Sequence, residues 1–182
     1  MSNLHPYVEK VLVSSEEISL RCQELGKIID ADYEGKNPIL IGLLKGSIPF
    51  MAELMKNISC EMQTDYMVAS SYVGTNSSGL VKISKDISVD VEGRHVLIVE
   101  DIIDTGITLN CVQDLFKHRK VASFEIVTLL DKPDRRKVNT VNPKYVGFTI
   151  PNEFVIGFGL DYDELYRNLP YVGVLKRSVY EK

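Results

Sequence analysis

The sequence predicts a doubly wound α/β fold: a central, mostly parallel sheet with helices on both faces. Two observations carry that prediction. Short apolar runs are continuous rather than alternating, as in strands buried on both faces, and several are followed by segments of helical periodicity. A third observation bounds it. The 182 residues, 45% of them hydrophobic, suit one ordinary domain, and no linker, repeat or low-complexity tract divides residues 1–182.

The elements follow in order. Ser14 and Glu17 have the spacing of a capping box, and Ile18, Cys22, Leu25 and Ile29 then recur at helical spacing up to a turn near Gly35. Residues 38–44 are an apolar strand, Lys45-Gly46-Ser47 a tight loop, and the segment from Ile48 to Met55 a helix. Ser47 is its expected N-cap, and Pro49 is tolerated in its first turn. The same grammar returns at residues 96–99, where a strand leads through a loop to a helix over residues 107–118. Residues 124–130 form the third buried strand. Residues 66–71 and 80–83 are strand-like and flank a Gly- and Ser-rich interval, 72–79, that reads as a lid. Residues 145–150, 154–158 and 172–175 supply the last short strands.

Composition excludes several function classes. With 21 Lys+Arg against 25 Asp+Glu, the net charge of -4 provides no global drive toward nucleic acid or an anionic membrane. Cys22, Cys60 and Cys111 lack the paired spacing of a zinc site or disulfide framework, and are expected to be reduced. No stretch approaches the roughly 18 apolar residues of a membrane span, so a cytoplasmic protein is expected.

The chemistry concentrates after the strand at 96–99. In an open parallel sheet, ligands bind beyond the carboxyl ends of the strands. Glu100 and Asp101 stand there, two adjacent carboxylates that call for a cation or hydrogen bonds, and Mg2+ held partly by substrate oxygens suits them. Asp104, Thr105, Gly106 and Thr108 open the next helix, where free backbone N–H groups and the helix dipole favour an anion. Read alone, either piece is an ordinary strand end or helix cap. Together, within nine residues, they suit a sugar phosphate carrying a metal.

The run Val99-Glu100-Asp101-Ile102-Ile103-Asp104-Thr105-Gly106 resembles the PRPP-binding motif of type I phosphoribosyltransferases. From about Val11 to Lys176 the chain is similar to the hypoxanthine-guanine branch, most of all to its short bacterial members. The resemblance implies the type I fold with a small hood built from the N-terminal segment and residues of about 150–182. It also implies transfer of 5-phosphoribosyl from PRPP to hypoxanthine or guanine, giving IMP or GMP and pyrophosphate.

Residue roles follow from the same likeness. Asp104 is the catalytic residue at purine N7. It binds the 5-phosphate together with Thr105, Gly106, Ile107 and Thr108. Glu100 and Asp101 serve the ribose and Mg2+, and Asp161 helps position a second Mg2+. Leu44, Lys45 and Gly46 form a pyrophosphate loop, commonly with a cis Leu44-Lys45 peptide, and Arg167 joins it. Ser71 and Tyr72 belong to the lid, although Val73 stands where many members carry Gly. Lys132 contacts the exocyclic O6, and an ammonium group, which only donates, favours a 6-oxo acceptor over a 6-amino donor. Phe154 stacks on the base while the Val155 backbone reads its edge. A homodimer or homotetramer is implied. Two alternatives stay open: a phosphoribosyltransferase for another base such as xanthine, and a PRPP-binding regulator that binds nucleic acid. For the latter, Lys117, His118, Arg119 and Lys120 are the basic run to watch.

Overall fold

The computed structural model describes residues 4–71 and 81–181, so Tyr72 and the proposed lid interval 72–79 lie outside the described residues. Ser71 is described only as backbone at the end of a strand.

The chain forms β1 (Val8–Val13), α1 (Ser15–Tyr33), β2 (Ile39–Leu43), α2 (Ser47–Met55), β3 (Gln63–Ser71), β4 (Val81–Lys85), β5 (His95–Ile103), α3 (Ile107–His118) and β6 (Ser123–Asp131). A short 3-10 turn at Pro133–Arg135 then leads to β7 (Tyr145–Thr149), β8 (Val155–Ile156), β9 (Val172–Leu175) and α4 (Arg177–Tyr180). Six strands make the main sheet in the order β4-β3-β2-β5-β6-β7, parallel except for the edge pair β3-β4. β1, β9 and β8 make a second, antiparallel sheet from the two ends of the chain.

Continuous apolar strands lie between two cores. Along β2, Leu40 packs with α1 and α2, among Ile18, Leu25, Phe50 and Leu54, while Ile39 and Ile41 pack with α3, among Leu109, Val112 and Phe116. Because successive strand residues face opposite ways, only an uninterrupted apolar run can fill both cores. α1 begins at the expected capping box: Ser14 Oγ accepts from Glu17 N at 3.2 Å, and Glu17 Oε2 accepts from Ser14 N at 2.8 Å. Cys22 sits in that core, where burial pushes its thiol up to about 12.

Three expectations need correction. Ser47 is the first residue of α2 rather than its cap; Gly46 holds the cap position and makes no side-chain bond. β5 runs four residues past Val99, so Glu100 and Asp101 lie within the strand instead of after it. The segment 154–158 yields only the two-residue β8, because the chain turns at Gly157, Phe158 and Gly159, all at positive φ.

Candidate active site

The carboxyl ends of β2, β5 and β6 open on one edge of the main sheet, and the β8–β9 segment folds toward it. In β5, Glu100 and Asp101 point to opposite faces, as adjacent strand residues must. Glu100 lines a cavity of about 130 Å³ together with Asp104, Thr105, Gly106 and Thr108. Asp101 faces the loop before α2. A Cβ placed on Gly46 would fall 1.7 Å from Asp101 Oδ2, so only glycine allows this approach. Burial, followed by the neighbouring Asp101, raises Glu100 well above the ordinary carboxyl range, and burial raises Asp101 to about 6. Among the described residues, no group of three or more His, Cys, Asp or Glu is arranged to hold a metal by itself.

The Leu44-Lys45 peptide is cis. Lys45 Nζ meets Glu164 Oε2 at 2.8 Å, and the same oxygen lies 3.3 Å from Arg167 Nη2. Arg167 also reaches Asp161 Oδ1 at 2.9 Å and donates to the Gly159 carbonyl at 2.7 Å. Lys45, Arg167 and Asp161 therefore share one side of Asp101, whose carboxyl group feels Arg167 and Asp161 in opposite senses.

Across the strand, α3 starts from Gly106, which is left-handed at φ 78 and lets the loop of Asp104 and Thr105 turn directly into the helix. Thr105, Gly106, Thr108 and Leu109, around the start of this helix, line the smaller cavity. The segment after β6 braces this loop: Lys132 N donates to the Ile103 carbonyl, and Lys137 N donates to Thr105, each at 3.0 Å. Arg136 donates to the Asp104 carbonyl at 3.0 Å and pairs with Asp131, while Arg135 Nε pairs with Asp104 Oδ1 at 2.9 Å.

A second cavity of about 400 Å³ adjoins the first, and Ile102 and Asp104 line both. Lys132, Phe154, Val155 and Asp161 are on its wall, as are Arg135 and Tyr180. Lys132 Nζ donates to the Glu153 carbonyl at 2.6 Å, and burial lowers its pKa. The structure thus gathers most described residues of the expected site at one end of the sheet: Glu100, Asp104, Thr105, Gly106 and Thr108 around the small cavity, Lys132, Phe154, Val155 and Asp161 around the large one, and 44–46 with Arg167 beside Asp101; Ile107 opens α3 without lining the small cavity, and Ser71 ends β3.

Sequence reasoning missed Arg135, Arg136 and Tyr180. Pro133-Asp134-Arg135-Arg136 looks like a surface turn; Asp104, which both arginines reach, lies 31 and 32 residues upstream, and Asp131, only 5 before Arg136, forms no motif with it. The tyrosine reaches the cavity only because β9 brings the C-terminal segment back beside Phe154.

The family model of the phosphoribosyl transferase domain matches residues 11–163. The chain is 60% identical over 181 residues to a hypoxanthine-guanine phosphoribosyltransferase of Lactococcus lactis subsp. lactis, covering 99% of this chain and 98% of the relative. Identity is 58% over 174 residues to the protein of that name from Streptococcus pneumoniae, covering 95% and 96%. A solved hypoxanthine phosphoribosyltransferase from Staphylococcus aureus superposes with a TM-score of 0.95 at 50% identity, covering 100% of both chains.

Proposed function

The chain belongs to the phosphoribosyl transferase family, in its hypoxanthine-guanine branch, and from that premise we infer that it is a purine salvage enzyme. It transfers 5-phosphoribosyl from PRPP to hypoxanthine or guanine, giving IMP or GMP and pyrophosphate. One observation carries the assignment to this edge of the sheet: the small, hydroxyl-rich cavity at the start of α3 and the larger cavity with Phe154 and Lys132 share the wall of Ile102 and Asp104. A nucleotide has the same order of parts, with phosphate, sugar and base in sequence.

In this reading the 5-phosphate sits against the N–H groups of 105–108 and the Thr105 and Thr108 hydroxyls. The base lies against Phe154, its 6-oxo group accepting from Lys132 and its edge meeting the Val155 backbone. N9 of the base bonds to C1 of the ribose as pyrophosphate leaves with the bonding electrons. The proton lost from the imidazole ring passes at N7 to Asp104, whose Oδ1 is held by Arg135 Nε. Lys45, the N–H groups of its loop and Arg167 stabilise the charge of the departing diphosphate.

Glu100, Asp101 and Asp161 fit Mg2+: their donors are all oxygen, and the first two are carboxyl groups whose burial makes ionisation without a cation costly. An incomplete protein shell suits an ion that takes part of its coordination from PRPP. When bound, Mg2+ would neutralise the diphosphate charge.

A nucleic-acid-binding regulator is less well supported, because the basic run is balanced within the chain. Lys117 pairs with Asp114, Arg119 with Asp86 and Lys120 with Glu92. No helix of the described residues is long and apolar enough to cross a membrane. A cytoplasmic homodimer or homotetramer completes the proposal, and sedimentation would give its assembly state.

The test is pyrophosphate release from PRPP and Mg2+ with hypoxanthine, guanine, xanthine, adenine and uracil in parallel. Turnover with hypoxanthine or guanine, and none with adenine or uracil, is expected. Silence with every base, accompanied by salt-sensitive RNA binding, would establish the regulator instead.

A further inference from the structure

One wall of the larger cavity has no part in the mechanism above. Tyr180, the last residue of α4, lies face to face with Phe154, their ring centroids 4.9 Å apart and their planes 24° from parallel. Tyr162 meets Phe154 edge-on, with centroids 5.7 Å apart and planes 82° apart. Phe154 is nevertheless 39% exposed, and about 400 Å³ of cavity stays open beside it with Tyr180 in place.

The tyrosine is held there from several directions. Leu175 N donates to the Phe154 carbonyl at 2.8 Å, which fixes the start of the C-terminal segment beside the ring. Lys176 then bonds through its N–H to the Tyr7 carbonyl at 2.9 Å and through Nζ to Pro6 at 2.7 Å. Val179 and Tyr180 pack on the small core of Val8, Ile156, Tyr171 and Leu175. Both ends of the chain therefore converge on the position of one ring.

We propose that Tyr180 is a positioning residue for the purine, stacking on one face of Phe154 so that the opposite face is presented, at a fixed tilt, to the incoming base. The proposal rests on the proposed function, in which Phe154 is the base platform. The bond from Leu175 N to the Phe154 carbonyl holds the backbone there but does not set the tilt of the ring. Without a second ring behind it, part of the stacking energy would go into ordering the platform at each binding event.

The experiment compares Tyr180→Leu, which keeps apolar bulk and removes the planar ring, with Tyr180→Phe, which keeps the ring. Steady-state constants are measured for hypoxanthine and for PRPP, and melting temperature is the control for folding. Tyr180→Leu should raise KM for hypoxanthine about three- to tenfold, the size of an aromatic pairing. KM for PRPP and kcat should change by less than about twofold, and Tyr180→Phe should restore the wild-type constants. An unchanged KM for hypoxanthine in Tyr180→Leu would overturn the proposal. So would a fall, which would mean that Tyr180 occupies the face the base needs. Equal rises in both KM values would reduce the residue to a general structural role. These outcomes are distinct from failure of the underlying function, which would appear as a wild-type protein inactive with every 6-oxopurine.

Discussion

Lys132 is a cationic side chain with 7% of its surface exposed, and its three-donor ammonium group gives one hydrogen bond to the Glu153 carbonyl at 2.6 Å. Burial depresses its pKa, so the charge is maintained at a cost that a 6-oxo acceptor offsets and a 6-amino donor does not. Lys132→Ala should lower the ratio of kcat/KM for hypoxanthine to that for adenine about 10- to 100-fold, the worth of a hydrogen bond to a charged group. A ratio equal to wild type would remove O6 recognition from this residue. Lys132 directly follows a buried apolar strand, where a parallel sheet places its ligands, but position alone marks only a strand-end charge, and its role comes from the family resemblance. Arg135 and Arg136 were not legible in the sequence. A guanidinium group in a turn has no periodicity to betray its partner: Asp104 comes beside Arg135 only once β5 and β6 are paired, and Asp131, although close in sequence to Arg136, is marked by no local pattern.

At the scale of elements, the loop before α3 is shaped by its glycine and by the segment packed over it. Gly106 has φ 78, and a Cβ there would stand 2.9 Å from Val138 Cγ2 and 3.1 Å from Arg136 Cδ. Gly106→Ala adds left-handed strain of about 1–2 kcal/mol and presses on the arginine that holds the Asp104 carbonyl. It should lower the melting temperature by about 2–8 °C and raise KM for PRPP about tenfold or more. Loss of stability without any change in KM would separate this turn from phosphate binding. The sequence revealed α1, β2, α3 and β6 through capping and hydrophobic period. It did not reveal β1, whose six residues leave Lys10 and Val11 exposed and make a strand only by pairing with β9. The missed cap of α2 has the same kind of cause. Serine favours an N-cap when its hydroxyl is free to accept from the backbone N–H two or three residues on, whereas Ser47 is buried over Gly42.

For the whole molecule, the site carries a strain of charge that the fold balances elsewhere. Glu100 and Asp101 both have raised pKa values, Asp101 reaching about 6 against an unperturbed 3.8. The folded state therefore binds protons more tightly than the unfolded chain. The stability linked to these two groups is fully present below the unfolded values and is lost as pH rises through the folded ones. Asp65, Asp86 and Asp32 act in the opposite sense. Their depressed values, assisted by hydrogen bonds from backbone, Arg119, and Lys144 with Tyr145 respectively, lend stability above the unfolded range that disappears on acidification. Comparison with a variant isolates the first contribution. In chelator and without substrate, Glu100→Gln/Asp101→Asn should melt roughly 2–6 °C above wild type at pH 7.5, the gap closing toward pH 4. A constant gap across that range would assign the effect to packing rather than ionisation. Strand order was readable only as a class: alternating strands and helices imply a parallel sheet, but nothing local specifies that β5 lies between β2 and β6.

The partition between the two cavities has a consequence for anyone seeking to block this protein. Ile102 and Asp104 line both a larger compartment with Phe154 and Tyr180 on its wall and a smaller one with Thr105 and Thr108 on its own. A compound confined to either side would forgo what the other offers. A heteroaromatic head and an anionic head joined by a short polar spacer would turn the second contact into an intramolecular event, and its length would be set by the step over Asp104 rather than by the size of either chamber.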